Sequence, residues 1–140
     1  MASVFIEFSG DAIPRLGLLA DKAERPADVL DEIGAFLDTD VTLRFMKEQT
    51  PEGVKWQQSE AAKDRGGLTL TDKRNLAGSI THNVVGDTLE HGLGEEYAAI
   101  HHFGGRTGRN KATLLPARPI VGIGALQANE IDDIISDWLV

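Results

Sequence analysis

The residues of this chain best suited to chemistry near neutral pH are its four histidines: His82 and His91, and the adjacent pair His101 and His102. If Gly86 and Asp87 are the two turn residues of a hairpin, register follows arithmetically and His82 stands opposite His91. Two facing imidazoles can fill two positions around a zinc ion, but a site needs at least one more ligand, and no spacing fixes it. The reading adopted is a structural or partly exposed pair. Two facing, partly buried imidazoles disfavour each other's protonation, so both pKa values are expected below the usual value of about 6.5.

The run His101-His102-Phe103-Gly104-Gly105 superficially resembles the glycine-rich oxyanion loop of some esterases. That loop works with a Gly-x-Ser-x-Gly elbow, which is missing, so acyl transfer is disfavoured. Adjacent helical residues point about 100° apart, so at most one of His101 and His102 is expected in the core, the other facing water or a partner. Gly104 to Thr113 has the composition of a phosphate loop without its order, since the Walker pattern sets Gly-Lys-Ser/Thr together at a helix start. It reads as a flexible, solvated basic loop that orders on meeting an acidic neighbour or DNA. The chain has no cysteine, which removes thiolate nucleophiles, thiol redox chemistry and disulfides, and fits folding in a reducing cytosol. Asp31-Glu32 and Asp132-Asp133 read as solvated helix faces. No residue is therefore assigned a catalytic, cofactor-binding or metal-binding role, and a metal-dependent hydrolase ranks last among the functions considered.

Charge points to contact instead. The net charge is −8, which disfavours indiscriminate binding to a polyanion. Yet Arg106, Arg109, Lys111 and Arg118 lie in a stretch from Gly104 to Arg118 without an acid, and Glu130, Asp132, Asp133 and Asp137 follow without a base. A basic loop on an acidic body reads as a contact surface, with these four cations as its candidate partner-contact residues.

The elements that must position these groups are legible in part. The 140 residues fit one domain, 1–140. Val4, Ile6 and Phe8 alternate as on a half-buried strand, and Met1 to Ser9 has neither the basic start nor the apolar run of a signal peptide. Apolar runs elsewhere fall short of the roughly 18 residues of a membrane span, so a soluble protein is expected. A helical segment is expected over 12–23, and a long packing helix from Pro26 to about Lys47. Gln49 to Gly67 reads as a loop pinned by Trp56, and Thr71 to Leu76 as a short helical turn. Ser79 to Leu93 is a hairpin, Glu95 to Phe103 a short helix stopped by Gly104-Gly105, and Gly105 to Leu115 a loop. Ile120 to Ile123 reads as a short strand, and a last helix starts at about Ala125 with Ala128, Ile131, Ile134, Ile135 and Trp138 on its apolar face. The fold class is α+β: a small antiparallel sheet with a hairpin near residues 79–93, packed by a long N-terminal helix and a C-terminal helix.

Tyr97-Ala98-Ala99-Ile100-His101-His102-Phe103-Gly104-Gly105, followed across a variable loop by Leu115-Pro116-Ala117-Arg118-Pro119-Ile120-Val121-Gly122, resembles the phage virion morphogenesis family, which contains the tail completion proteins of Mu-like and P2-like phages. Leu70-Thr71 and Leu76-Ala77-Gly78-Ser79-Ile80 resemble the family's segment upstream, and Trp56 its single tryptophan before that segment. Asp72-Lys73 stands where the family usually has a glycine. The resemblance implies an α+β fold, no cofactor and no catalytic residue. It implies a structural role in virion assembly, finishing the tail or joining it to the head, usually as a ring or other oligomer. It also places the protein in the host bacterial cytoplasm during assembly and in the tail or neck of the virion. Within the motif, Tyr97, Ile100 and Phe103 read as helix anchors, Gly104-Gly105 as a backbone reversal, and Pro116 to Pro119 as a stiff clamp around Arg118. The partners expected are further copies of the chain and other tail or head-tail proteins. A nucleic-acid-binding module on the basic stretch 104–118 is the alternative.

Overall fold

The computed structural model describes residues 3–8, 26–71 and 75–139. In chain order these form β1 (Val4–Phe8), α1 (Pro26–Lys47), α2 (Glu60–Arg65), α3 (Asn75–Gly78), β2 (Ile80–Val85), β3 (Thr88–Leu93), α4 (Ala98–Phe103), β4 (Gly105–Thr107), β5 (Thr113–Leu115) and α5 (Ala125–Leu139). The architecture is α+β.

Pro26 opens α1 where its missing N–H goes unneeded; Asp28 sits in the first turn and Arg44 and Lys47 in the last, as the helix dipole favours. Apolar residues recur every three or four positions, and Val29, Leu30, Ile33, Leu37, Val41 and Phe45 are buried along one stripe. The helix stops where Glu48 turns left-handed, at φ 53°. The helical segment expected over 12–23 lies outside the described residues.

β1, β2 and β3 form an antiparallel sheet in the order β1-β3-β2. The hairpin register is the expected one: Val85 faces Thr88, Val84 faces Leu89, Asn83 faces Glu90, His82 faces His91 and Ile80 faces Leu93. Gly86 has φ 61° and Asp87 has no positive φ, the sign pattern of a type II′ turn, which glycine adopts without strain. α1 packs across this sheet and α5 packs against α1. Along the covered face the cross-strand pairs run apolar, polar, apolar. Val4, Val41, Phe45, Trp56 and Leu93 belong to one buried cluster, and Val29, Leu30, Ile33, Leu37 and Leu89 to a second that α5 flanks with Ile131, Ile134, Ile135 and Trp138. The two histidines form the seam between the clusters.

Five local expectations are corrected. The stretch 49–67 is not all loop: Ser59 Oγ accepts the Ala62 N–H at 3.1 Å and starts α2, which Gly66 ends at φ 67°. Only Ala62 of that helix is buried, so it shows no apolar period. Of the turn expected over 71–76, residues 72–74 lie outside the described residues, and Asn75 and Leu76 open α3. The helix expected from Glu95 starts at Ala98, and Glu95 merely accepts the Ala98 N–H at 3.0 Å. Gly105 to Leu115 is a two-stranded hairpin, with Gly105 facing Leu115, Arg106 facing Leu114 and Thr107 facing Thr113. Ile120 to Ile123 is not a strand: the His102 and Arg44 side chains take the N–H and the carbonyl of Ile120, where a ladder would have to start. On α5, Ala128 is exposed and Gln127 is buried instead, since its amide is bonded on both sides.

Candidate functional site

The basic hairpin and the extended strap behind it, residues 116–124, are built from the segment singled out by the sequence. α4 ends at Gly104, whose N–H returns to Ile100 O at 2.8 Å and whose φ is 74°. A Cβ at Gly104 would stand 2.7 Å from Ala117 N and 2.9 Å from Leu115 O, so only glycine lets the hairpin and strap cross here. Arg106 and Leu114, opposite one another, are both exposed, as are Arg109 and Lys111 in the connecting turn.

The strap is tied down almost residue by residue. Arg118 N donates to His101 O at 3.0 Å, and Arg118 Nε to Gln57 O at 2.7 Å. Trp56 Nε1 donates to Pro119 O at 2.9 Å, with its ring edge-on to Phe45 at 5.6 Å. Ile120 N donates to His102 Nδ1 at 3.1 Å, Ile120 O accepts from Arg44, and Gly124 N donates to Gln127 Oε1 at 2.8 Å. Arg44 also holds Asp40, which Gln127 Nε2 reaches at 3.2 Å. Ile120 and Val121 drop into the core between these ties. Pro116 and Pro119 are half-buried, as suits a stiff segment that lacks two backbone donors.

Three expectations about this region change. Arg118 does not join the exposed cations: it is 3% exposed, its stem drawn inward by the bond to Gln57. Phe103, expected as an anchor, is 70% exposed and Tyr97 39%; Ala98 is the fully buried residue of α4, with Ile100 half-buried beside it. The ring of Phe103 lies edge-on to His102 at 4.6 Å, at the end of the helix. Both His101 and His102 are half-buried, rather than one alone. Burial, then the nearby Arg118 for His101 and Arg44 for His102, lowers both pKa values.

The seam between the cores departs most from expectation. Asp31, Gly34 and Asp38 fall on one face of α1, and a Cβ at Gly34 would lie 2.4 Å from His82 Cδ2, so glycine leaves room for the imidazole. His82 Nδ1 meets Asp38 Oδ2 at 2.6 Å and Nε2 meets Asp31 Oδ1 at 2.9 Å. His91 Nε2 is 3.2 Å from Asp38 Oδ1, within ion-pair range but not aligned as a hydrogen bond. Burial alone would lower the His82 pKa, but hydrogen bonds to Asp31 and Asp38 outweigh it and raise it, against the expectation of two depressed values. His91 is lowered, by burial first, with Asp38 opposing and His82 adding to the effect. The sequence reading sets Asp31 on a solvated helix face and assigns Asp38 no role; the glycine inside a helix, spaced three and four from them, is the available signal.

The sign of the pH dependence follows. His82 contributes stability that is complete below the unfolded value of about 6.5 and is lost as pH rises through its higher folded value. His91 acts oppositely, costing stability as pH falls below about 6.5. Proton-detected titration of the ring resonances should place His82 above and His91 below that value; two depressed values would contradict the carboxylate seam.

A cleft of about 340 Å3 opens beside the hairpin, lined in part by Tyr97, His101, Leu115 and Arg118. Among the described residues no group of three or more His, Cys, Asp and Glu side chains is placed to hold a metal ion, and no helix is long and apolar enough to cross a membrane.

Over 138 residues the chain is 29% identical to Mu-like prophage FluMu G protein 2 of Haemophilus influenzae, covering 99% of this chain and 96% of that protein. It is also 29% identical over 118 residues to Mu-like prophage FluMu G protein 1 of the same bacterium, covering 78% and 76%. No solved structure matches. Residues 13–140 match the phage virion morphogenesis family, so the chain belongs to that family of structural proteins and serves phage virion assembly.

Proposed function

We propose that this protein completes the phage tail or joins it to the head, acting without catalysis through protein–protein contacts. It does so in the host bacterial cytoplasm and remains in the tail or neck. One observation carries this reading: His82 is held by carboxylates, His102 by the backbone of Ile120, and His91 and His101 are at least half-buried, whereas a braced hairpin presents Arg106, Arg109, Lys111 and Leu114 outward. A hairpin held at its base by the strap loses little freedom when a partner binds.

Deleting the gene from a phage that carries it is expected to leave heads and tails accumulating as separate or unfinished particles under the electron microscope. The wild-type chain supplied from a plasmid restores infectious virions. Fully infectious particles from the deletion would refute the proposal. The exposed cations of the hairpin favour one second reading, nucleic-acid binding, which would weaken steeply as salt is raised.

A further inference from the structure

Among the described residues, Arg118 is a buried cation without a counter-charge. It is 3% exposed, and among the described residues no Asp or Glu stands at ion-pair distance from it. Buried charges are ordinarily paired, because removing one from water alone is costly. Its side chain lines the cleft shared with Tyr97, Leu76, His101 and Leu115. His101 adds a buried Nδ1 that has no hydrogen-bond partner among the described residues. Leu115 ends β5, so the cleft runs directly into the hairpin that carries Arg106, Arg109 and Lys111.

We infer that this cleft takes a carboxylate, and that the carboxylate comes from the outer face of α5 in a second copy of the chain. The inference rests on the assembly role proposed above and specifies one of its contacts. Glu130, Asp133 and Asp137 recur at three and four positions, so they form one stripe on α5. All three are exposed, the helix contains no base, and none of the three is in an ion pair among the described residues. A basic, partly apolar cleft and an acidic helix face on the same chain are complementary in charge. The net charge of −8 opposes a nucleic acid as the occupant. Because the two surfaces differ, the contact is head-to-tail: repeated, it gives a ring if the rotation closes and a filament if it does not.

Sedimentation velocity over a wide concentration range, with the His101 ring resonance followed on the same samples, tests this. The wild-type chain should associate as its concentration rises, and the His101 signal should shift with it. The variant Glu130→Gln, Asp133→Asn, Asp137→Asn changes exposed side chains only, so its melting temperature should hold while association weakens by about tenfold or more and His101 stays unshifted. Arg118→Lys keeps the charge but loses the forked geometry and should weaken association similarly; if it fails to fold, the α5 variant decides alone. A wild-type chain that is monomeric throughout, or an α5 variant that associates as tightly, overturns the inference. So does a His101 signal that responds to short duplex DNA and not to association. If the α5 variant restores virions as well as the wild-type chain, self-docking is wrong and the tail-completion role stands; failure of the wild-type chain itself to restore them overturns that role.

Discussion

Replacing Phe45 by alanine is expected to lower the unfolding free energy by about 3–5 kcal/mol, the usual cost of emptying a phenylalanine site in a core. Phe45 is 1% exposed and packs in the cluster that contains Val41, Leu93, Ile120 and Val121. Elements distant in sequence meet there, so no one of them can collapse into the void without dragging the others. The loss should also reach the site. Phe45 is the edge-on partner of Trp56, and Trp56 holds the Pro119 carbonyl. Urea unfolding followed by fluorescence measures both effects: the midpoint falls, and the native emission of Trp56 shifts to the red as its indole gains water. A loss below about 1 kcal/mol would mean that the cluster is not close-packed.

What could be read from the sequence divides by the range of the interactions involved. α1 was legible from Pro26 to Lys47 because a proline start, an acidic first turn and an apolar stripe are local signals that agree. The β2–β3 register was legible because a two-residue turn leaves no freedom, and it placed His82 opposite His91 correctly. The protonation behaviour of that pair was not, since it depends on Asp31 and Asp38, more than forty positions away, arriving from α1. The same limit explains the strap. Ile120 to Ile123 has the composition of a strand, but His102 from α4 and Arg44 from α1 take both backbone groups of Ile120, and Trp56 takes the carbonyl of Pro119 just before it. α2 had a legible start at Ser59 and stop at Gly66, but without an apolar stripe those end signals had nothing to bracket. As for the four candidate contact cations, composition grouped them, while burial separates Arg118 from the other three. Spacing along a chain cannot show that one cation of a run turns inward.

Arg44→Ala is expected to cost about 3–5 kcal/mol, as for removing one member of a buried ion pair. Arg44 is 3% exposed on α1 and spans two partners, Asp40 four residues earlier and the carbonyl of Ile120 on the strap. Its burial lowers its pKa, and Asp40 and Glu52 oppose that effect, so the guanidinium is held where only its partners justify the charge. Without it, the Ile120 carbonyl loses its donor in the core, and among the described residues Asp40 keeps only the Gln127 amide at 3.2 Å. Asp40 retains 23% exposure and can draw on water, which places the expected loss toward the lower end of the range. Asp40→Asn supplies the control. If the pair is what Arg44 stabilises, then Arg44→Ala on the Asp40→Asn background should cost less than on the wild type, by a coupling of about 1–3 kcal/mol in a denaturant cycle. Strict additivity would assign the whole loss to the Ile120 bond and to packing of the arginine stem. In either outcome the strap loses its tie to α1, and with it the brace that holds the hairpin base against the core; hydrogen exchange should therefore rise first at residues 118–124, before the β2–β3 pair opens.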